Sequence, residues 1–132
     1  MITSLHHVSL IASSEEFLRF YNLLGFKEIF KKVRTNDVVV LMEGHGIQLE
    51  IFIDSRHPAH PTGMEEPIGL RHFALTVSGS LEDELEELKA SFSSTGYALE
   101  AGPIMEDWTR VRFCFIKDFD GLPVELRENN RK

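Results

Sequence analysis

The sequence predicts an α+β fold built from two βαβββ modules in tandem, and three observations carry that reading. A His-opened, Glu-closed pattern occurs twice, with His72 standing 65 residues after His7 and Glu125 standing 75 after Glu50. The surroundings match as well: Leu5-His6-His7-Val8-Ser9-Leu10 against Leu70-Arg71-His72-Phe73-Ala74-Leu75, and Gln48-Leu49-Glu50-Ile51 against Pro123-Val124-Glu125-Leu126. Within each half the apolar residues alternate as in a strand, then recur at helical spacing, then alternate again. An internal repeat of this kind governs every later step, because it makes each half one structural unit.

The elements follow in order. The first strand spans Leu5 to Ala12, where alternation separates Val8, Leu10 and Ala12 from His7, Ser9 and Ile11. A helix begins after Ser13, with Glu16 three residues on as a capping box, carries Phe17, Tyr21 and Leu24 on one stripe, and ends at Gly25. Strands are expected at Phe26–Val33, Asp37–Met42 and Ile47–Ile53, divided by Thr35-Asn36 and by Gly44-His45-Gly46. Residues 54–69, with Pro58, Pro61, Gly63 and Pro67, connect the halves. The order then restarts: a strand at Leu70–Val77, a helix capped by Ser80 with Asp83 and stopped by Gly96, and strands at Tyr97–Ala101, Val111–Lys117 and Leu122–Arg127. A turn at Asp118-Phe119-Asp120-Gly121 joins the last two. His to Gly is 18 residues in the first half and 24 in the second, and Gly to Glu is 25 and 29, so the insertions fall in two places. The expected organisation is one domain over 1–132, with module one at 1–53 and module two at 70–128. Modules of about 55 residues are marginal alone and are expected to share a core.

Composition narrows the partners. A net charge of −7 opposes nucleic acid and anionic membrane, which need concentrated Lys and Arg. The acidic run Glu82-Asp83-Glu84 with Glu86-Glu87 alternates with Leu81, Leu85 and Leu88, which reads as a solvated helix face. One cysteine, Cys114, forms no intramolecular disulfide and fits a reducing compartment. The amino-terminal residues lack a signal-peptide pattern and no apolar run spans a bilayer, so a cytoplasmic protein is expected.

Parity selects the site. Aligning His7 with His72 places Val8, Leu10 and Ala12 in register with Phe73, Leu75 and Val77 on the helix-packed face, and both histidines on the other. Choosing His6 instead sets that ring among core side chains. The same alternation puts Glu50 opposite Leu49 and Ile51, and Glu125 opposite Val124 and Leu126. Two imidazoles and two carboxylates on faces turned from the helices suit one divalent transition ion, Ni, Co, Zn, Mn or Fe. If that ion is five- or six-coordinate, positions remain for water or a substrate oxygen.

The chain resembles the vicinal oxygen chelate superfamily of glyoxalases, bleomycin-resistance proteins and extradiol dioxygenases. The likeness rests on His7-Val8, on Phe20-Tyr21 with Leu24-Gly25-Phe26, on Leu70-Arg71-His72-Phe73-Ala74-Leu75, and on Asp118 to Leu126. It implies eight strands in two βαβββ modules forming an open, barrel-like cleft around a metal, a small-molecule substrate and a homodimer. Extradiol dioxygenases of this superfamily use two His and one Glu, and methylmalonyl-CoA epimerases carry Gln where Glu50 stands. The His, Glu, His, Glu order resembles bacterial glyoxalase I. That likeness implies a metal-dependent lyase or isomerase acting on an α-hydroxycarbonyl or thiol-adduct substrate, with Glu125 moving a proton between adjacent carbons. Glyoxalase I enzymes hold glutathione with an Arg four residues after the first ligand and an Asn four after the second. Here those positions are Ile11 and Asp54, which argues against glutathione itself. The alternatives are a ligand-sequestering resistance-type protein and an extradiol-type dioxygenase.

Other residues carry weaker signals. Arg112 alternates with Val111 and Phe113 and is assigned, with Cys114, to the cleft side as a binder of substrate carboxylate or phosphate, the alternative being a surface ion pair. Trp108 is a candidate substrate wall or a plug. His57-Pro58-Ala59-His60 has HxxH spacing, but neighbouring prolines oppose the helix that would align the rings. Cys114 reads as a packed thiol. Phosphate loops, nucleophile elbows and nucleotide fingerprints are missing from the sequence.

Overall fold

The computed structural model describes residues 1–58, 60 and 67–129. Of the expected connector, Pro61 and Gly63 lie outside the described residues, as does Ala59 of the HxxH segment. The chain divides into two compact units, Met1–Ala59 and His60–Lys132. Among the described residues each contains one four-stranded mixed sheet and one helix.

In the first unit the order is β1 (His7–Ala12), α1 (Glu16–Leu23), β2 (Lys27–Val33), β3 (Val38–Gly44) and β4 (Ile47–Ile53). The sheet runs β1-β4-β3-β2, with β1 parallel to β4 and the other pairs antiparallel. Register joins Val8 to Leu49, Leu10 to Ile51 and Ala12 to Ile53 on one face. Leu10, Ala12, Leu49, Ile51 and Ile53 are buried there together with Phe17, Phe20, Tyr21 and Phe26. The aromatic rings meet edge-on or tilted, Phe17 and Tyr21 at 4.9 Å and Phe20 and Tyr21 at 5.0 Å, a geometry their quadrupoles favour.

The start of α1 differs from expectation. Its N-cap is Glu15 in helical geometry with no side-chain cap bond, and the backbone N–H of Phe17 reaches the Ser14 carbonyl at 3.2 Å. The chain enters through a tight turn that supplies a backbone partner, so the helix begins at Glu16 rather than directly after Ser13. The end of α1 matches the sequence closely. Gly25 at φ +103° lets its own N–H reach Asn22 O and the Phe26 N–H reach Tyr21 O, each at 3.0 Å. This Schellman arrangement brings the Tyr21 and Phe26 rings to 6.0 Å. Between β3 and β4, His45 at φ +53° and Gly46 at φ +80° form a turn with both central residues left-handed, as a two-residue hairpin requires. That turn swings the His45 ring over Gly25, and Nε2 lies 2.6 Å from the Leu24 carbonyl at the helix end.

In the second unit the order is β5 (Phe73–Val77), α2 (Leu81–Ser93), β6 (Met105–Glu106), β7 (Arg112–Lys117) and β8 (Pro123–Glu128). The sheet runs β5-β8-β7-β6, and β5 is parallel to β8. Ser80 caps α2 as expected, accepting from Asp83 N at 3.2 Å, and Leu81, Leu85, Leu88 and Phe92 are buried. The acidic residues Glu82, Asp83, Glu86 and Glu87 are solvent-exposed, as a helix's polar face should be. Glu128, buried on the helix side of β8, accepts from Leu81 N at 2.8 Å and places negative charge at the positive end of α2.

One expected strand is absent. Tyr97–Ala101 forms only the single bridge Ala101–Ile116, and the short edge strand falls at Met105–Glu106. Gly102-Pro103 accounts for this, because proline cannot donate to a ladder and glycine weakens one. Among the described residues no helix is long and apolar enough to cross a membrane.

A Cβ on Gly25 would sit 2.8 Å from His45 Nε2 at a φ that side chains rarely adopt. Gly25→Ala is therefore expected to lower stability by about 1–3 kcal/mol in urea denaturation. Adding His45→Ala should recover only the steric part of that loss, since the backbone strain persists.

Candidate metal centre

The two modules repeat their site-bearing strands in the same register. Ser9 faces Glu50 across β1–β4, and Ala74 faces Glu125 across β5–β8. His7 opens β1, and His72 stands one residue before β5. Parallel pairing places side chains of partnered residues on one face, so His7 shares a face with Glu50, away from Leu49 and Ile51. The register alone thus brings each His to its Glu within a module. His6, by contrast, precedes β1 and is exposed rather than buried in the core.

The contacts use the same atoms twice. His7 Nε2 lies 3.7 Å from Glu50 Oε1, and His72 Nε2 lies 3.2 Å from Glu125 Oε1. The other nitrogen of His7, Nδ1, is 2.8 Å from His6 Nδ1. His72 packs edge-on against Phe115 at 4.9 Å, which limits its rotation. Ligand atoms about 2.0–2.2 Å from one ion lie roughly 3.0–3.5 Å apart at tetrahedral to octahedral angles. The second pair falls inside that span and the first lies slightly beyond it. Imidazole Nε2 with a carboxylate oxygen is also a donor set that divalent transition ions accept. Among the described residues no group of three or more His, Cys, Asp or Glu stands at metal-binding spacing. Each module holds one His–Glu pair.

The pairs are not equivalent. Glu50 is about a third exposed and, among the described residues, accepts from the Ser9 hydroxyl at 3.3 Å. Glu125 is buried, and its Oε2 accepts from Arg127 Nη1 at 3.0 Å. The same Nη1 donates to Asp107 Oδ2 at 2.8 Å, while Arg127 Nη2 donates to Thr109 Oγ1 at 3.1 Å. Thr109 in turn donates its backbone N–H to Asp107 Oδ1 at 2.8 Å. The Arg127 guanidinium, then Thr109, hold the Asp107 carboxyl at about 2 against an ordinary 3.8. Arg127 and Asp107 were not singled out from the sequence. The available signal was spacing: Arg127 is two residues after Glu125 and so projects from the same face of β8.

Other candidates fall elsewhere. Arg112 does share a face with Cys114, but that face packs against α2, where Cys114 is buried. Arg112 bonds Glu82 of α2 and pairs with Glu128 at 3.1 Å, so the ion pair, not the cleft side, is its environment. Alternation in β7 gave two faces without saying which is open; the Phe115–Glu125 partnership in β7–β8 shows that the odd-numbered residues, Phe113 and Phe115, accompany Glu125. Burial pushes the Cys114 thiol upward, in keeping with a packed thiol. Trp108 is almost fully exposed, at 93%. Asp54 is gripped by Arg56 through both oxygens, at 2.9 and 2.7 Å, which holds its carboxyl well below the usual range. His57 lies 3.7 Å from Asp54.

Asp107 is favoured as carboxylate in the folded state. Its contribution to stability is therefore present above about pH 4 and is lost as pH falls toward 2. Acid unfolding followed by circular dichroism should show a shallower decline between pH 4 and 2 in Asp107→Asn than in the unaltered protein.

The model of the Glyoxalase/Bleomycin resistance protein/Dioxygenase superfamily matches residues 4–126. YaeR of Escherichia coli K12 is 30% identical over 96% of this chain and 97% of its own. A glyoxalase family protein from Enterococcus faecalis, solved as a crystal structure, is 35% identical, covers 95% of this chain and 97% of its own, and superposes with a TM-score of 0.78. A fosfomycin resistance protein, FosX, from Listeria monocytogenes was solved as a Glu-to-Gln variant with Mn(II) and 1S,2S-dihydroxypropylphosphonic acid. It shares the fold at 18% identity, with a TM-score of 0.68 over 96% of this chain and 93% of its own. With its duplicated strand–helix–three-strand modules and this match over nearly its whole length, the chain belongs to the Glyoxalase/Bleomycin resistance protein/Dioxygenase superfamily.

Proposed function

We propose that the protein is a divalent-metal-dependent lyase or isomerase of the glyoxalase type, acting on a small α-hydroxycarbonyl or thiol-adduct substrate. His7, Glu50, His72 and Glu125 hold the ion, one His–Glu pair from each module. The observation that carries this reading is the repetition of the same Nε2–Oε1 pairing in both modules. The Mn(II) complex of the FosX fold relative supports a metal in this superfamily. When bound, the ion supplies Lewis acidity that renders a proton beside a carbonyl removable near neutral pH.

The chain's own residues do the rest. Glu125 takes the proton from one carbon and returns it to the neighbour, so the substrate is rearranged without net loss of atoms or electrons. A positioned base of this kind contributes roughly 10²–10⁴ in rate. Phe113 and Phe115 flank Glu125 on the open face of β7 and offer an apolar surface that restricts water near it. Trp108, exposed beside Asp107, serves as a wall for the substrate. The Asp54–Arg56 pair occupies the position where glutathione binders carry Asn, which supports a thiol adduct other than that of glutathione. The protein acts in the cytoplasm as a homodimer.

A second reading, a sequestering protein, draws on the same aromatic surface and the exposed Trp108. Untagged protein reconstituted with Ni(II), Co(II) or Mn(II) separates the two. The lyase reading expects about one ion per chain and turnover of methylglyoxal–thiol adducts or α-hydroxy ketones. Glu125→Gln should then cost at least about 10²-fold in kcat with an unaltered circular dichroism spectrum. Less than about a tenth of an equivalent of metal would favour sequestration, and full activity in Glu125→Gln would remove Glu125 as the base.

A further inference from the structure

The repeat diverges at one place that bears on the site. Ser9, which donates to Glu50 in module one, corresponds to Ala74 in module two, where no hydroxyl exists. Phe52, on the open face of β4 with the Arg34 guanidinium over its ring at 5.5 Å, corresponds to Arg127. Module two has thus lost the cross-strand hydroxyl and acquired a guanidinium on the Glu strand itself. That guanidinium is fixed at several points: Asp107 at 2.8 Å, Thr109 at 3.1 Å, and the Phe113 ring at 5.9 Å from its centroid. Asp107 and Thr109 are themselves tied together by the Thr109 N–H and hydroxyl. A guanidinium held this way has little freedom, so the oxygen it binds has little freedom either.

The geometry points to Arg127 as a positioning residue that pins Glu125 Oε2 and leaves Oε1, the oxygen beside His72, as the single oxygen free for ion and proton. The Asp107–Thr109 loop is the anchor through which it acts. Among the described residues Glu50 meets the Ser9 hydroxyl at 3.3 Å and His7 at 3.7 Å but no guanidinium clamp of this kind, so the two carboxylates of the duplicated set are held differently. This inference rests on the metal-dependent reading above. Outer partners of metal-ligating groups ordinarily change metal affinity by 10- to 100-fold.

Charge and orientation make opposite demands, which is what allows a test. A cation beside the site repels a metal ion, so removing Arg127 for its charge alone would tighten binding, whereas removing it as a clamp would loosen binding. Co(II) is the probe, titrated into full-length protein by calorimetry and by its visible absorption. Arg127→Met and Arg127→Lys, the latter retaining charge but not the two-pronged fork, are both expected to bind Co(II) at least about tenfold more weakly, with a shifted visible band. Asp107→Asn should shift the same band in the same direction. Equal or tighter binding with superimposable spectra would overturn the clamp. If the unaltered protein takes up no Co(II), the metal reading fails, and the clamp is judged separately on metal-free protein. There, urea midpoints of Arg127→Met, Glu125→Gln and the double variant should be non-additive; additive shifts would overturn it.

Discussion

Everything at the site depends on the parallel pairing of the first and last strands of each module. In a βαβββ unit the helix crosses over and returns the chain, through two antiparallel strands, to lie beside where it began. The opening His and the closing Glu, more than forty residues apart in sequence, become neighbours across one strand pair. One residue of slip in that register would turn His and Glu to the helix side and carry Leu49 or Val124 into their place. The buried faces forbid the slip: Leu10, Ala12, Leu49 and Ile51 in one module, and Val77, Val124 and Leu126 in the other, are buried. Packing on one face therefore specifies chemistry on the opposite one.

The helices hold that register in place by similar means at their C-terminal ends. Both α1 and α2 end at a positive-φ glycine, Gly25 and Gly96, followed by an aromatic residue that folds back on the last turn. Tyr21 meets Phe26, and Phe92 meets Tyr97 at 5.3 Å. Their starts differ, with a Ser80 side-chain cap on α2 and a backbone turn at α1. The ends fix where each helix sits on its sheet, and the starts were freer to diverge. The site diverged in a comparable way, keeping its His and Glu while exchanging Ser9 for Ala74 and Phe52 for Arg127.

Much of this was legible in the sequence because period-two alternation reports burial directly. The Ile47–Ile53 strand, the Ser80 cap, both helix-ending glycines and the solvated acidic face of α2 emerged as read. The phase of an isolated strand is a different matter. Arg112 alternates with phenylalanines that are themselves on the open face, so an apolar majority suggested the wrong interior, and only pairing with β8 resolves it. Tyr97–Ala101 reads as a strand from its own residues, whereas the Gly102-Pro103 step just beyond it limits pairing there to a single bridge. A strand-end arginine such as Arg127 ordinarily marks solvent. Its contacts are with Asp107 and Thr109, about twenty residues earlier in the chain, and no local pattern reports them.

If His7, Glu50, His72 and Glu125 hold one ion, as we propose, each histidine is needed to keep it. Native mass spectrometry of the full-length protein with Co(II), beside His7→Ala and His72→Ala variants, tests it most directly. The account predicts one ion per chain in the unaltered protein and loss of that ion in either variant. Retention of a full equivalent after removal of either histidine would contradict it.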